Sequence, residues 1–494
     1  MEIELKFQVP PARRAELLKA VATASAHRVR LRAVYADTPD RRLAAAGLAL
    51  RLRQEGRRWV QTLKGPGDGL MQRLEHEVVL PPQRGRPVLD PARHAGTPAG
   101  DALARALGAD GVALLQPLYT TDVTRVLRRV RHAGALVEIA CDRGTLQAAD
   151  GTPGAGARAA VDEVEFELFS GDPAELVALA ARWAERFDLW WDPRTKSERG
   201  YRLALQQPTV PAVRAAASRL APGISPAAAY QGMLTAALAH ALPNAAEIAS
   251  GSGGPEHLHQ LRVGLRRLRS VLRLFGAWGG DAVAAQELEA AWREPFARLG
   301  AARDSDVLAQ TLQPALADAG APAFAWPAGA AAPPPQDIVR EASFTALLLR
   351  SLALSLQPPT PQTDALRDAA AAVLRRAWKQ TLRDAPDFVH APVAAQHRTR
   401  KRLKRLRYAL EFLLPLYKTG PAKRLQRQLA RAADALGALN DLCVAEDLLR
   451  PHAQAEPAAW FAVGWVVAQR AVALQQAQDA LHQLAKAPRP WRRG

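Results

Sequence analysis

Two carboxylates and an ammonium open the chain at alternate positions: Glu2, Glu4 and Lys6 in MEIELKFQVP, with Ile3, Leu5 and Phe7 between them. A period of two puts the three charges on one face of a β-strand. The same period recurs in LALRLRQ (Arg51, Arg53), VQTLKG (Thr62, Lys64), QRLEHEVV (Arg73, Glu75, Glu77), VEIACD (Glu138, Asp142) and DEVEFELF (Glu163, Glu165, Glu167). Carboxylates bind hard divalent cations without His or Cys, while guanidinium and ammonium groups bind phosphate oxygens. Strands carrying both signs can therefore hold a metal-bound polyanion. Arg51, Arg53, Lys64, Arg73 and Arg125 would take its oxygens, and Glu2, Glu4, Asp142, Glu163, Glu165 and Glu167 would take the metal.

Alternation alone leaves two arrangements open. The charged face is wet, or the sheet closes into a barrel with a polar lumen and a covered exterior. Charge logic favours the second. A purely basic lumen leaves no place for a divalent cation, and a purely acidic one repels an anionic substrate. The other face (Ile3, Leu5, Phe7, Leu50, Leu52, Val164, Phe166, Leu168) is strongly apolar and needs helices over it.

The elements that must position these residues occupy the first 205 residues, where short alternating segments are broken by Gly, Pro and Asp. Residues 206–225 mix Pro, Ala and polar residues and read as a linker, and from 226 to 485 the period becomes 3.6. The fold class is therefore α+β and multidomain: an N-terminal antiparallel β-structure with flanking helices, then an all-α bundle. At 494 residues the chain exceeds one core. Its 66 Lys and Arg against 48 Asp and Glu call for a polyanionic partner, and most of the surplus lies beyond residue 210. Two distant cysteines fit a reducing compartment. The chain opens on an acidic β-like segment rather than a secretory signal, and its most apolar stretch, AAWFAVGWVVA, is about half the ~20 residues of a membrane span. A soluble cytoplasmic protein is expected.

The helical half repeats itself. HQLRVGLRRLRSVLRLF (259–275) and HRTRKRLKRLRYALEFL (397–413) superpose without a gap, so His259, Arg262, Arg266 and Arg269 fall on His397, Arg400, Lys404 and Arg407. That spacing keeps each set on one helical face. An acidic signature follows each, Asp304 in GAARDSDVL and Asp441 in GALNDLCVA, which gives two repeats at about 226–312 and 346–485. Two basic ridges can bind a linear polyphosphate by counterion release. Nucleic acid competes for such a surface, but no zinc-finger or RNP spacing is present and aromatics are 6%, so it ranks lower.

The ordered elements of the first half resemble the CYTH superfamily of triphosphate tunnel metalloenzymes. EIELK resembles its Glu-x-Glu-x-Lys signature, and YADT, LRLRQEGRRWVQTLKG, RLEHEV, VEIACDRG, EVEFELFSGD and TKSERGY follow in family order, with Thr195 where serine is usual. The resemblance implies an eight-stranded antiparallel tunnel that cleaves inorganic triphosphate with Mg²⁺ or Mn²⁺. In it Lys6, Arg51 and Lys64 neutralise developing charge, and Arg53, Arg73, Arg125 and Lys196 grip phosphate. The metal falls to Glu2, Glu4, Asp142, Glu163, Glu165 and Glu167. The repeated helices resemble the CHAD domain, a helical module often joined to CYTH domains. That implies long-chain polyphosphate binding by His259, Arg262, Arg266, Arg267, Arg269, His397, Arg400, Lys404 and Arg407, with association to polyphosphate granules. The fusion resembles bacterial CYTH-CHAD inorganic triphosphatases. The same tunnel also serves nucleoside or thiamine triphosphatases and adenylate cyclases, and a noncatalytic polyphosphate-binding protein is the alternative of another class.

Overall fold

The computed structural model of the chain describes residues 2–67, 69–83, 85–221, 223–327, 333–358 and 365–491, with backbone alone over 301–307. The alternating segments are strands: β1 (Glu2–Gln8), β2 (His27–Asp37), β3 (Ala49–Glu55), β4 (Arg58–Pro66), β5 (Gln72–Val79), β6 (Gln116–His132), β7 (Ala135–Ala148), β8 (Arg158–Ser170) and the two-residue β9 (Trp190–Trp191). Eight of them run antiparallel in the order β5-β4-β3-β2-β6-β7-β8-β1, and β1 pairs again with β5 at Glu2 and Arg73. The ring is thus closed as an eight-stranded tunnel, which leaves no long open edge. β9 extends the same edge of β1 at Phe7 and Gln8. The β6–β7 hairpin turns at Ala133 and Gly134, both left-handed (φ 46° and 88°), as a tight two-residue turn requires.

Apolar residues between the charges face outward and are covered. Near the ring lie α1 (Arg14–Val21), α2 (Arg42–Ala45), α3 (Pro98–Leu107), α4 (Pro173–Phe187) and α5 (Lys196–Ala204). Leu50 and Leu63 pack with Leu43 of α2 and Leu103 and Leu107 of α3. Phe7 meets Phe166 edge to face at 5.7 Å, and Phe166 meets Trp183 of α4 at 5.8 Å. Each aromatic pair adds about 1 kcal/mol beyond the apolar area it buries. At α5 the Tyr201 ring lies 5.5 Å from that of Tyr119, which stacks on Tyr35 at 4.6 Å.

Beyond the strands come α6 (Pro226–Ser250), α7 (Pro255–Phe275), α8 (Ala282–Ala291), α9 (Arg293–Asp318), α10 (Pro335–Arg340), α11 (Ala342–Leu356), α12 (Leu366–Thr381), α13 (Val393–Leu413), α14 (Thr419–His452) and α15 (Ala459–Ala485). The two repeated segments are α7 and α13, each followed by a 3₁₀ turn. Long α9 and α14 then carry the acidic signatures, so the all-α half is duplicated. The chain divides into two compact units. One comprises residues 1–214, 239–261 and 339–356, and the other residues 215–238, 262–338 and 357–494. The first unit therefore takes in the end of α6, the start of α7 and most of α11, and α11 packs on α4. Within it residues 206–214, the first part of the expected linker, are tied down at Val213, whose backbone exchanges hydrogen bonds of 3.1 and 2.9 Å with the Asn244 amide. Among the described residues no helix is long and apolar enough to cross a membrane.

Candidate active site

The tunnel encloses a cavity of about 1050 Å³, and the alternate charged residues point into it. Strand register arranges them in rows. Glu138 on β7, Glu167 on β8 and Glu4 on β1 stand directly opposite one another. The next row is Ala140, Glu165 and Lys6, and the third is Asp142, Glu163 and Gln8. Like charges side by side on neighbouring strands are destabilising without a counterion. The first row shows this: Glu167 is pushed up to about 7 by burial, then by Glu138. Nearby Glu2 is pushed up to about 9 by burial and by its hydrogen bond with Glu75. A hard divalent cation would relieve that crowding. Glu2, Glu4 and Glu167 offer such a cation oxygen donors alone.

The other acidic group is already neutralised. Asp142, Glu163 and Glu165 bring carboxylate oxygens within 4.8 Å of one another. Into them comes Lys196, 2.7 Å from Asp142, 2.8 Å from Glu165 and in contact with Glu163. Arg125 adds a fork on Asp142 (2.7 Å to each oxygen) and a contact with Glu165. Burial pulls Asp142 up, yet Arg125 and Lys196 overcome it and hold the carboxyl below its ordinary value. Glu163 is fully buried, does not line the tunnel cavity, and also binds Arg199 at 3.0 Å.

The remaining cations also have internal partners. Lys64 bridges Glu2 (3.0 Å) and Glu75 (2.9 Å). Arg51 donates to the Tyr35 hydroxyl at 3.1 Å and lies 3.9 Å from Glu75 and from Glu77. Arg53 reaches Glu55 at 2.7 Å and Glu77 at 3.0 Å, and Arg73 lies 3.7 Å from Glu4. Lys6 donates to the Arg194 carbonyl. Tyr35, Glu75 and Glu77 join the assigned residues in the cavity wall. The alternating RLEHEV strand had placed the two glutamates on that face, while nothing local marked Tyr35 as a partner of Arg51. Two motif residues support rather than line the site. Buried Asp37 accepts from the Leu43 and Ala44 amides (2.9 and 3.0 Å) and from the Tyr201 hydroxyl (2.7 Å), which joins α2 to α5. Thr195 Oγ1 accepts from the Glu198 amide at 3.0 Å and so caps the helix that begins with Lys196.

In the second unit the basic positions of α7 and α13 separate into two kinds. Arg262, Arg266 and Arg269 all lie over the Phe296 ring, 5.7, 5.5 and 5.1 Å from its centroid. Arg266 comes within 3.5 Å of the Tyr408 hydroxyl, and Arg407 within 3.4 Å of it. Lys404 is pushed down to about 7 by burial, then by Arg266 and Arg400, which marks a local excess of positive charge. Partial burial, with Lys401 and Arg400, likewise holds His397 below its ordinary value. Arg267 is instead buried on Glu411 at 2.6 Å, and Arg269 also binds Glu289 at 2.8 Å. His259 stands on α7 ahead of Arg262, in the part of that helix belonging to the first unit. The Asp304 side chain lies outside the described residues.

Among relatives, 42% of this chain is 29% identical over 214 residues to the inorganic triphosphatase of Haemophilus influenzae, and the match spans 56% of that protein. The CHAD domain of the plant Ricinus communis aligns at 30% identity and a TM-score of 0.44, covering 56% of this chain and 99% of the plant one. A Hippeastrum protein whose structure is described as revealing a dominant triphosphatase activity aligns at 17% identity and a TM-score of 0.31, covering 42% of this chain and 97% of that one. Residues 1–201 match the CYTH domain and residues 232–450 match the CHAD domain. The chain thus carries a CYTH domain in residues 1–201 and a CHAD domain in residues 232–450.

Proposed function

We propose that the tunnel hydrolyses inorganic triphosphate to pyrophosphate and phosphate with Mg²⁺ or Mn²⁺, and that the helical half holds long-chain polyphosphate. The observation that carries the first part is the separation of charge inside one cavity. A carboxylate row at Glu4, Glu167 and Glu138, met among the described residues only by Arg73 at 3.7 Å from Glu4 and Arg129 at 3.2 Å from Glu138, faces a lumen that also holds Lys64, Arg51, Arg53 and Arg125. A divalent cation held by Glu2, Glu4 and Glu167 would supply charge neutralisation at the phosphate oxygens. The chain's own work is positioning. Lys64 and Arg73, which now pair with Glu2, Glu75 and Glu4, would exchange those carboxylates for phosphate oxygens. Arg51, anchored by Tyr35, would face charge developing on the leaving pyrophosphate as the bridging P–O bond breaks and water oxygen bonds to the terminal phosphorus.

The second part draws on the concentration of positive charge at Arg266, Arg400, Lys404 and Arg407, which adds to burial in pushing Lys404 down to about 7. A linear polyanion relieves that repulsion and releases its own counterions. A chain with both properties would work in the cytoplasm beside polyphosphate granules.

The test is phosphate release from tripolyphosphate, ATP, thiamine triphosphate and long-chain polyphosphate with Mg²⁺ or Mn²⁺. Preferential cleavage of tripolyphosphate is expected. Faster cleavage of a nucleoside or thiamine triphosphate, or formation of cyclic AMP, reassigns the tunnel. No turnover of any of the four makes it a noncatalytic anion-binding module.

A further inference from the structure

The segment from Trp190 to Ala204 lines part of the tunnel cavity, and it is held by residues far along the chain. Asp192 donates its amide to the Lys6 carbonyl at 3.0 Å, and its carboxylate takes Arg194 Nε and Nη2 at 2.8 Å each. That knot sets the Arg194 carbonyl against Lys6 and delivers Lys196, two residues on, to Asp142 and Glu165. The remaining nitrogen of Arg194, Nη1, turns away to Ser250 Oγ at 2.7 Å and lies 3.8 Å from Glu247 Oε1. The same carboxylate oxygen takes Arg202 Nη1 at 2.7 Å. Glu247 Oε2 accepts from Ser252 Oγ at 2.9 Å.

Glu247 is 3% exposed, so its charge is met by protein groups rather than water. Two of them, Arg194 and Arg202, flank Lys196 on either side in sequence, and Arg202 and Lys196 both line the tunnel cavity. All belong to the first compact unit, although residue 247 falls inside the span that matches the CHAD domain. A second restraint fixes the same turn: Arg340 Nε donates to the Ala249 carbonyl at 2.6 Å, and its guanidinium lies 6.0 Å from the centroid of the Trp190 ring.

We propose that Glu247 is a positioning residue of the tunnel, which clamps Arg194 and Arg202 and so fixes where Lys196 stands, and that the CHAD-matched part of the chain thereby completes the phosphate-binding wall. The inference rests on the triphosphate reading of the tunnel. Lys196 must leave some of its carboxylate contacts to meet a phosphate. A side chain that does this productively needs its backbone held to a fraction of an ångström. Removing the Glu247 charge leaves two buried or half-buried guanidiniums without their shared counterion, and they relax away from it.

The test uses the full-length chain and the uncleavable imido analogue of triphosphate, titrated calorimetrically with Mg²⁺ into the wild type, Glu247→Gln, Lys196→Ala and the double variant. Glu247→Gln alone is expected to weaken binding about tenfold, the scale of a charged hydrogen bond. In the Lys196→Ala background the same change should cost less than about twofold, because the clamp acts through that lysine. Multiplying effects, or wild-type binding by Glu247→Gln, overturn the clamp. Wild-type binding by Lys196→Ala overturns the triphosphate reading itself, and the clamp with it. Thermal melts check that each variant is folded. Should Glu247→Gln not fold, Ser250→Ala leaves the Glu247 charge in place and removes an acceptor of Arg194, together with the Ser250 hydroxyl's bonds to the Glu247 carbonyl and Ser252. It is then expected to weaken binding about threefold in the wild type and not at all beside Lys196→Ala.

Discussion

At the scale of single residues the tunnel is a set of charges already paired with one another, and what matters is which pairs are unequal. Lys196 and Arg125 neutralise Asp142 and Glu165, whereas Glu2, Glu4, Glu138 and Glu167 have too few cations. Burial pushes Glu167 up to about 7 and Glu2 up to about 9, so both carry proton occupancy at neutral pH that a cation must displace. The sign follows: Mg²⁺ binding to the substrate-free chain releases protons, and its apparent affinity rises as pH rises through those values. Calorimetry at pH about 7.5 in buffers of different ionisation enthalpy should read a release of about one proton, and Glu2→Gln should release measurably fewer. An identical proton count in wild type and variant would remove Glu2 from the metal site. The acid and base types were legible from the alternation of EIELK and VEFEL. Their pairing was not, because a period of two gives a face but no register: only the closed ring shows that Glu4, Glu167 and Glu138 share a row while Glu163 sits beyond the cavity wall.

At the scale of elements, two packing contacts put functional side chains in place without touching a ligand. α5 lies so close to β6 that a Cβ at Gly200 would fall 2.2 Å from the Tyr119 ring. Gly200→Ala should therefore push the helix that begins with Lys196 off the sheet, at about 1–3 kcal/mol of stability. A melting temperature lowered by several degrees, with weaker tripolyphosphate binding, is the expected result. An unshifted melt would mean that Tyr119 yields freely. On the helical side Phe296 underlies three arginines of α7 at once. Phe296→Leu keeps every charge but removes the ring face, so long-chain polyphosphate affinity should fall about threefold, judged from the worth of exposed cation–π contacts. Unchanged affinity in a titration would show that the ridge needs no such platform. The helices and their duplication could be read from HQLRVGLRRLR and HRTRKRLKRLR, since a 3.6-residue period survives without tertiary context. Phe296 could not, because it lies on another helix. Nor could Asp37, which the YADT motif marks but whose work is to join α2 and α5.

For the molecule as a whole, the net charge of +18 and its bias toward the second half predict two ligands with different salt responses. Tunnel cations are buried among carboxylates, so their contacts with a short phosphate chain are screened little. Around Lys404, which burial and then Arg266 and Arg400 push down to about 7, Arg266, Arg400 and Arg407 gather positive charge. A long polyanion bound there displaces condensed counterions, and its affinity should fall with the logarithm of salt at a slope of about −3. The Michaelis constant for tripolyphosphate should change only about twofold over the same range of about 50–200 mM salt. Neutralising Arg266 and Arg400 to Ala should weaken polyphosphate binding at every salt concentration and flatten the slope, while tripolyphosphate hydrolysis stays close to wild type. Duplex DNA and RNA belong in the titration as competitors, because counterion release is common to all polyanions and the slope alone does not name one. A slope unaffected by both substitutions would place polyphosphate elsewhere on the basic surface. Displacement by nucleic acid at far lower phosphate concentration would make nucleic acid the partner these helices hold.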